Sequence, residues 1–301
     1  MHPDQLSVTP DLVHRLVVDQ FPEWVGLEVR PVASGGAVNA IFRIGEELVA
    51  RVPLRDRDPV ETRSTLVAEA VATAELFGRV PFPSPEPIAI GEPGEGFPLP
   101  WAVQTWVPGT TASDDDIGPS MEFASDLATL VRALRAIDTR GRTFAPSTRV
   151  FRGGDLTTHN AWMNRCFDES VDLFDVPHLR RLWSGLRKLP REAPDAMCHG
   201  DLTPLNVLVA NGRLAGIIDC GSFGPADPAL DLICAWHLLE AGPRAAFRAS
   251  LNCSDLEWER GKAWAFEQSM GVAWYYRDTN PALHRMGTTT IARILAETPG
   301  S

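Results

Sequence analysis

Three oxygen-bearing side chains near residue 200 have types and spacing that could do chemistry. Residues 198–206 read CHGDLTPLN, so four residues separate Asp201 from Asn206, and Asp219 ends the apolar stretch that follows. Phosphoryl transfer needs one carboxylate to orient the attacking hydroxyl and further oxygen ligands to hold Mg²⁺ on the phosphates. The pattern therefore indicates a phosphoryl-transfer site.

A β-hairpin must bring these residues together. Apolar stretches at 206–210 and 214–219 flank Asn211-Gly212, the strongest short-range signal for a tight turn between two strands. The loop of four residues lets the side chains of Asp201 and Asn206 face one cleft. The hairpin then returns Asp219 to the side of Asn206.

The rest of the chain predicts two lobes. Stretches at 27–33, 38–44 and 48–52 predict an antiparallel meander, followed by a helix over about 60–77 and a strand over 101–107. We therefore expect an α+β fold with a β-rich N-terminal nucleotide-binding lobe (1–107) and a mainly helical C-terminal lobe (108–301) that carries the catalytic loop and the substrate site. Helical patterns in the second lobe cover about 120–137, 177–188, 228–240, 243–250, 255–275 and 281–297.

The motif H-G-D-x4-N with a downstream I-D resembles the signature of the aminoglycoside phosphotransferase (antibiotic kinase) family. The resemblance implies a protein-kinase-like two-lobe fold. It also implies that Asp201 is the catalytic base and that Asn206 and Asp219 bind Mg²⁺. By the same resemblance His199 is counted among the catalytic residues, because it supports the loop through hydrogen bonds.

A second run, D-P-A-L-D-L at 227–232, also resembles this family. There it opens a helix packed under the active site. We expect Asp227 to cap that helix, with Pro228 in its first turn, and Asp231 to hydrogen-bond the catalytic-loop backbone. Both residues are interpreted as structural rather than catalytic.

Candidates for nucleotide binding lie in the first lobe. Ser34, Gly35 and Gly36 form a turn that could bring backbone N–H groups close to phosphates, although such a turn can also be only a turn. Arg51 stands where the resemblance implies a strand lysine, with Glu69 as its ion-pair partner. Arginine keeps its charge and binds phosphate bidentately. The alternative is a surface arginine in an edge strand.

The segment before Pro108-Gly109 is the expected hinge between the lobes. By the resemblance it comprises Gln104, Thr105 and Val107, and the backbone groups of Thr105 and Val107 pair with the purine. The co-substrate is ATP or GTP, with Mg²⁺ as cofactor.

The composition of the chain indicates which classes of partner and which cellular compartment to expect. The net charge of −11 argues against nucleic-acid and membrane-surface binding and suits a polar or cationic small-molecule substrate. The N-terminus lacks the pattern of a secretory signal, and the five cysteines form no C-x-x-C pair, so we expect a cytoplasmic protein with reduced thiols. The chain is expected to be a monomer or a homodimer.

The acceptor remains open between several classes. An aminoglycoside is the first expectation, and a macrolide, a peptide antibiotic or a metabolite is the alternative; by the resemblance, Asn206 mildly disfavours macrolides, whose kinases tend to carry His there. A non-catalytic pseudokinase is a further alternative, whereas no Gly-x-Ser-x-Gly supports a serine hydrolase. Carboxylates that could neutralise a cationic acceptor are Asp114, Asp115, Asp116, Glu122, Glu240, Glu267 and Asp278, and aromatic residues that could line its pocket, or form core, are Trp264, Phe266, Trp274, Tyr275 and Tyr276.

Overall fold

A five-stranded antiparallel sheet forms the N-terminal part of the computed structural model, which describes residues 6–33, 38–113, 116–146 and 151–297. The strands lie in the order β1-β2-β3-β5-β4, so the predicted meander of the first three strands is confirmed. The strands are β1 (Val29–Val32), β2 (Asn39–Ile44), β3 (Leu48–Pro53), β4 (Pro87–Gly91) and β5 (Trp101–Thr105).

Two helices flank this sheet. Helix α1 (Pro10–Gln20) begins at the N-cap Thr9 and packs its apolar residues into one core with the sheet residues Phe42, Ile44 and Trp101. Helix α2 (Pro59–Leu76) begins at the N-cap Asp58 and confirms the predicted helix. It packs against β4 and against the turn at Cys220–Ser222, so it connects the sheet with the predicted catalytic segment.

The C-terminal part is mainly helical and contains short strands. The predicted hairpin is confirmed, because β8 pairs with β9 across Asn211 and Gly212, both of which have positive φ. Two three-residue strands, β7 and β10, pair with each other, and β6 joins the hairpin. These strands are β6 (Thr110–Thr111), β7 (Ala196–Cys198), β8 (Val207–Ala210), β9 (Arg213–Ile217) and β10 (Gly224–Ala226).

Helix α8 lies at the centre of the helical part. It packs against α4, α5, α6 and α9, and most of its residues between Trp258 and Ala273 are buried. A helix that is buried on nearly all faces is typical of a protein core. The helices are α3 (Met121–Arg135), α4 (Asn160–Asp168), α5 (Val176–Leu186), α6 (Ile233–Leu238), α7 (Ala241–Leu251), α8 (Asp255–Tyr275) and α9 (Pro281–Glu297).

The predicted α+β arrangement of a β-rich N-terminal region and a helical C-terminal region is confirmed. The division at residues 107 and 108 stays a prediction. None of the helices in the described ranges is long and apolar enough to cross a bilayer.

Asp227 forms a buried ion pair that fastens the segment after β10 to α8. Its Oδ2 accepts hydrogen bonds from Arg260 at 2.6 and 2.9 Å and from the Trp264 indole at 3.1 Å, and its Oδ1 accepts from the Ala229 amide at 3.0 Å. Both charged side chains are almost fully buried. The helix that Asp227 is predicted to cap begins only at Ile233, so the predicted capping role is wrong. The carboxylate instead closes a turn through Ala229 and neutralises a buried arginine.

Replacing Arg260 by Met is expected to lower the free energy of unfolding by about 3–5 kcal/mol, because it leaves the Asp227 carboxylate buried without its cation. Urea denaturation of the two proteins measures the difference. The control is Arg15→Met, which removes the exposed pair between Arg15 and Glu95 and should cost about 0–1 kcal/mol. Equal losses in both variants would contradict the role given to the buried pair.

Candidate active site

The loop between β7 and β8 brings Asp201 and Asn206 into contact. The Asn206 Nδ2 group donates to Asp201 Oδ2 at 2.8 Å and to the Asp201 carbonyl at 3.0 Å. Turn hydrogen bonds from the Thr203 amide to the Asp201 carbonyl and from the Asn206 amide to the Thr203 carbonyl fold the intervening residues. The four-residue spacing therefore places both side chains together, as expected.

Asp231 anchors the start of this loop through hydrogen bonds to its backbone. Its two carboxylate oxygens accept hydrogen bonds from the amides of His199, at 2.8 Å, and Gly200, at 2.9 Å. Asp231 is fully buried. Burial raises the pKa of Asp231 above its ordinary value, although His199 and the two amides oppose the shift. The predicted contact between Asp231 and the loop backbone is confirmed.

His199 connects the loop at Asp201 with the segment just before Asp219. The imidazole Nδ1 accepts from the Asp201 amide at 3.3 Å, which leaves Nε2 to donate to the Ile218 carbonyl at 3.1 Å. The side chain is fully buried, so it has no surface to offer a substrate. These contacts agree with support of the loop, the role expected for His199, and they make it a positioning residue rather than one that reacts.

Asp219 follows β9 in the left-handed backbone region, with φ +59°. A non-glycine residue in this region is uncommon, and such residues cluster at functional sites. The Ile218 amide donates to the Asn206 carbonyl at 2.9 Å, which fixes Asp219 next to Asn206 across the hairpin. The Asp219 side chain is 44% exposed and so remains accessible to a ligand.

Arg51 lies between two carboxylates. Its Nη2 contacts Asp219 Oδ1 at 2.6 Å and its Nη1 lies 3.7 Å from Glu69 Oε2, so the expected pairing with Glu69 is observed. Desolvation lowers the pKa of Arg51, but Asp219 and Glu69 raise it above its ordinary value, and the guanidinium stays charged. Strand β3 lies between β2 and β5, and the side chain is 14% exposed, so the alternative of a surface arginine in an edge strand is wrong.

A glycine allows α2 to approach this cluster. A Cβ atom on Gly221 would lie 2.7 Å from the Glu69 side chain, closer than real Cβ contacts. Gly221 therefore lets the turn after Asp219 pack directly against α2, which carries Glu69. We infer that a side chain at residue 221 would move Glu69 away from Arg51.

The expected hinge residues lie at the end of β5 and just beyond it. The Thr105 amide donates to the Glu86 carbonyl and the Trp106 amide donates to the Glu47 carbonyl, on the opposite side of the strand. Val107 lies two residues beyond the end of β5 and is buried. Gln104 pairs with Val49 of β3 inside the sheet. Ser34, Gly35 and Gly36 lie outside the described residues.

Asn206 and Asp219 supply one amide oxygen and one carboxylate, a donor set that fits Mg²⁺. This ion usually takes one or two protein ligands and completes its shell with water and substrate phosphates. The Asn206 Nδ2 faces Asp201, which turns its Oδ1 away and leaves that oxygen for a cation. Within the described ranges no group of three or more His, Cys, Asp or Glu side chains is placed to hold a metal.

A cavity of about 120 Å³ lies beside Asp201 and includes Phe151, Arg152 and Pro225 in its wall. An apolar groove of about 730 Å³ shares Phe151 with it and contains one carboxylate, Asp155, among its described lining residues. The cavity thus lies next to the carboxylate that would receive the acceptor hydroxyl, and the groove adjoins the cavity at Phe151. The groove is lined by Phe144, Pro146, Phe151, Gly154, Asp155, Thr158, His159 and Trp162.

Glu267, which the sequence suggested as an acceptor carboxylate, is fully buried behind this cavity. It accepts from Arg152 Nε at 2.8 Å, and its Oε1 lies 3.0 Å from His159 Nδ1. Burial raises the pKa of Glu267, but Arg152 and His159 outweigh it and hold the pKa below its ordinary value. Glu267 is therefore ion-paired with Arg152 and does not face the cavity. The Arg152 Nη1 lies 4.0 Å from Asp201 Oδ1.

The other suggested acceptor residues do not line the cavity or the groove as the structure describes them. Trp264 and Phe266 are fully buried and confirm their interpretation as core. Trp274 packs against Trp162, which does line the groove. Among the remaining suggested carboxylates, Asp114 and Asp115 lie outside the described residues. The others are exposed, and they are Asp116, Glu122, Glu240 and Asp278.

A buried hydrogen-bond chain, here called the Gln268 chain, reaches Asp201 from α8 and was not expected from the sequence. Gln268 Nε2 donates to Asp201 Oδ1 at 2.6 Å, and its Oε1 lies 3.0 Å from His237 Nε2. The His237 Nδ1 lies 2.9 Å from the Thr290 hydroxyl. No sequence signal sets Gln268 apart, because α8 also carries charged residues such as Arg260 and Glu267.

The burial of His237 predicts that the stability of the protein depends on pH. Burial lowers the pKa of His237 to about 4, the nearby cations Arg152 and Arg293 act in the same direction, and Gln268 opposes them. The unfolded chain, with a His pKa of about 6.5, takes up a proton first as the pH falls. The contribution to stability is therefore full above about pH 6.5 and declines as the pH falls toward 4.

We expect the titration of His237 to lower the free energy of unfolding of the wild-type protein by up to about 3 kcal/mol between pH 6.5 and 4. The variant His237→Gln cannot titrate, so its loss over the same range should be smaller by that amount. Urea midpoints measured at a series of pH values test this. Identical pH dependence in both proteins would show that His237 is protonated in the folded state as readily as in the unfolded chain.

The model of the phosphotransferase enzyme family matches residues 28–264 of this chain. An aminoglycoside 3'-phosphotransferase of Streptomyces fradiae is 31% identical over 199 residues, which cover 55% of this chain and 71% of that protein. An aminoglycoside 3'-phosphotransferase of Escherichia coli is 32% identical over 146 residues, which cover 46% of this chain and 52% of that protein. The chain thus spans about half the length of the second relative.

Solved structures show the same fold along nearly the whole chain. The GDP complex of aminoglycoside 2'-phosphotransferase-IIIa superposes with a TM-score of 0.71 at 17% identity, covering 97% of this chain and 100% of that one. A macrolide 2'-phosphotransferase from Brachybacterium faecium superposes with a TM-score of 0.62 at 17% identity, covering 97% and 99%. At these identities the likeness concerns the fold alone.

Proposed function

The chain belongs to the phosphotransferase enzyme family, and from that membership we propose that it transfers the γ-phosphate of ATP or GTP to a hydroxyl of a small-molecule antibiotic. The observation that carries the proposal is the contact between Asp201 and Asn206 on a loop whose hairpin returns Asp219. One carboxylate and two oxygen ligands are what phosphoryl transfer requires.

In this proposal Asp201 accepts a hydrogen bond from the acceptor hydroxyl and aligns its oxygen with the γ-phosphorus. Asn206 and Asp219 hold Mg²⁺, which neutralises phosphate charge when it is bound. His199 keeps Asp201 and the hairpin in register through its two hydrogen bonds. Catalysis then rests on positioning and electrostatics, without a covalent intermediate.

Nucleotide binding is assigned to the N-terminal sheet and the hinge. Arg51 directs its guanidinium to the phosphates from beside Asp219, and Glu69 fixes its orientation. The Thr105 carbonyl and the Val107 amide bind the purine edge, and Gln104 anchors the hinge to the sheet. Ser34, Gly35 and Gly36, which lie outside the described residues, stay predicted contacts of the phosphates. A co-substrate of this kind agrees with the GDP complex of the structural neighbour.

Aminoglycosides are the acceptor class that the named relatives favour, and the net charge of −11 suits a cation. A second candidate is a less charged antibiotic such as a macrolide. The observation that favours it is the apolar groove, whose walls include Phe144, Phe151 and Trp162. It shares Phe151 with the cavity beside Asp201. In that case the apolar groove holds the body of the acceptor, and one hydroxyl reaches Asp201.

A coupled phosphotransfer assay with ATP and with GTP, run across aminoglycosides, macrolides, peptide antibiotics and hydroxylated metabolites, tests the proposal. We expect Mg²⁺-dependent turnover above nucleotide hydrolysis with one acceptor class. Metal-dependent nucleotide binding without transfer to any member of broad panels would instead support a pseudokinase.

We further propose that the enzyme works in the cytoplasm. ATP and GTP are available there, and the cysteines agree with a reducing compartment. All five are free thiols in the structure, and four of them are buried.

A further inference from the structure

The Gln268 chain runs in a single direction. A carboxylate only accepts hydrogen bonds, so Gln268 must present its NH₂ group to Asp201 and its carbonyl oxygen to His237. His237 then donates from Nε2 to Gln268 and accepts a hydrogen bond at Nδ1 from the Thr290 hydroxyl. Each member has one arrangement that satisfies all of its neighbours, and this arrangement points a donor at Asp201.

Burial makes the chain rigid. Gln268 and His237 are each 5% exposed and Thr290 is fully buried, so water cannot replace the internal partners. Breaking one link would leave a buried polar group unsatisfied. The chain also ties together three helices, because His237, Gln268 and Thr290 lie on α6, α8 and α9.

We propose that Gln268 is a positioning residue for the phosphotransfer reaction, and that His237 and Thr290 act through it. Asn206 donates to one carboxylate oxygen of Asp201 and Gln268 donates to the other. The carboxylate is thereby held at both oxygens before an acceptor arrives, with 32% of its side chain exposed toward the cleft. This inference rests on the proposed role of Asp201 as the base.

The physical need for such a residue lies in the Asp side chain. The terminal torsion of an aspartate is broad, so a carboxylate held at one oxygen can still rotate. A rotated carboxylate would accept the acceptor proton in a geometry that no longer aligns the hydroxyl with the γ-phosphorus. Small misplacements of this kind cost about 10²-fold in rate.

The decisive variant is Gln268→Met, which keeps the length of the side chain and removes the donor. We expect kcat to fall about 10²-fold while the KM values for nucleotide and acceptor stay unchanged. Thr290→Val should lower kcat less, because it loosens the chain at its far end. The double variant should be no slower than Gln268→Met alone, since Thr290 acts only through Gln268.

Ser269→Ala is the matched control. Ser269 neighbours Gln268 on α8, is fully buried, and its hydroxyl has no hydrogen-bond partner among the described residues. Its replacement should leave kcat unchanged. Thermal unfolding of each variant separates slow catalysis from a damaged fold, and Thr290→Val tests the chain by itself where Gln268→Met does not fold.

Three results would overturn the inference. Wild-type kcat in folded Gln268→Met, or in Thr290→Val if that variant alone folds, would remove the positioning role. A rise in acceptor KM with unchanged kcat would make Gln268 a substrate contact. Independent, additive effects of Gln268→Met and Thr290→Val would break the link between them. Wild-type transfer by Asp201→Asn would instead overturn the proposed function itself, so the two failures are distinguishable.

Discussion

Replacing Asp201 by Asn is expected to lower kcat by about 10²–10⁴-fold, the usual contribution of a general base, while nucleotide binding changes little. Asparagine preserves the shape of the side chain but loses the negative charge that receives the acceptor proton. Asp201 lies on the loop between β7 and β8, whereas the proposed purine contacts lie at the end of β5, so the nucleotide should still bind. Initial rates and calorimetric titration with Mg²⁺-nucleotide measure the two quantities.

The matched control is Asp172→Asn, which makes the same chemical change at an exposed turn between α4 and α5. Its kcat should equal that of wild type. Unchanged turnover in Asp201→Asn would refute the assignment of the base, and a parallel loss of nucleotide affinity would mean that Asp201 acts in binding instead.

Replacing Asp219 by Ala is expected to weaken Mg²⁺-dependent nucleotide binding and to lower kcat/KM by about 10²–10³-fold, as for the loss of one preorganised electrostatic group. The variant removes a proposed metal ligand and also releases Arg51 from its 2.6 Å contact. Titration of Mg²⁺ at fixed nucleotide should show a higher concentration requirement than in wild type.

Asp172→Ala serves as the control for this second change and should leave the Mg²⁺ requirement unaltered. A separate comparison isolates Arg51, because Arg51→Met removes the proposed phosphate contact but keeps both proposed metal ligands. If metal dependence survives intact in Asp219→Ala, the metal role must move to another residue.

The catalytic hairpin could be predicted from the sequence because its signals are local. Asn211-Gly212 specifies the turn, the flanking apolar residues specify the strands, and the four residues between Asp201 and Asn206 close into a loop stabilised by its own hydrogen bonds. Little long-range information is needed to place these groups. The same holds for most of the helices, whose periodicity and N-cap residues are readable along the chain. Helices α4 and α6 have no capping side chain, and the sequence did not predict α4 and placed the start of α6 too early.

The partners of Asp201 on the acceptor side could not be predicted in this way. Gln268 and Arg152 are far from Asp201 in sequence and reach it because α8 and the segment before α4 pack around the catalytic loop. Sequence alone also could not distinguish Glu267 from a surface carboxylate. Its burial becomes evident only once Arg152 and His159 are seen to neutralise it.

Arg51 illustrates a departure that the structure explains. The planar guanidinium contacts Asp219 with one nitrogen while another lies near Glu69, so a single side chain connects β3, α2 and the turn after β9. A lysine ammonium is a point charge on a flexible stem and holds such a pair with less geometric control. We infer that arginine here couples the position of α2 to that of the proposed metal ligand.

The most direct measurement is mass spectrometry of the acceptor after incubation with the wild-type enzyme, Mg²⁺ and ATP or GTP, with Asp201→Asn in parallel. We expect one acceptor of the panel to gain the mass of a single phosphoryl group with wild type and to remain unmodified with Asp201→Asn. An acceptor phosphorylated equally by both proteins would contradict the assignment of Asp201, and a wild-type enzyme that only hydrolyses its nucleotide across the whole panel would contradict phosphotransfer to these compounds.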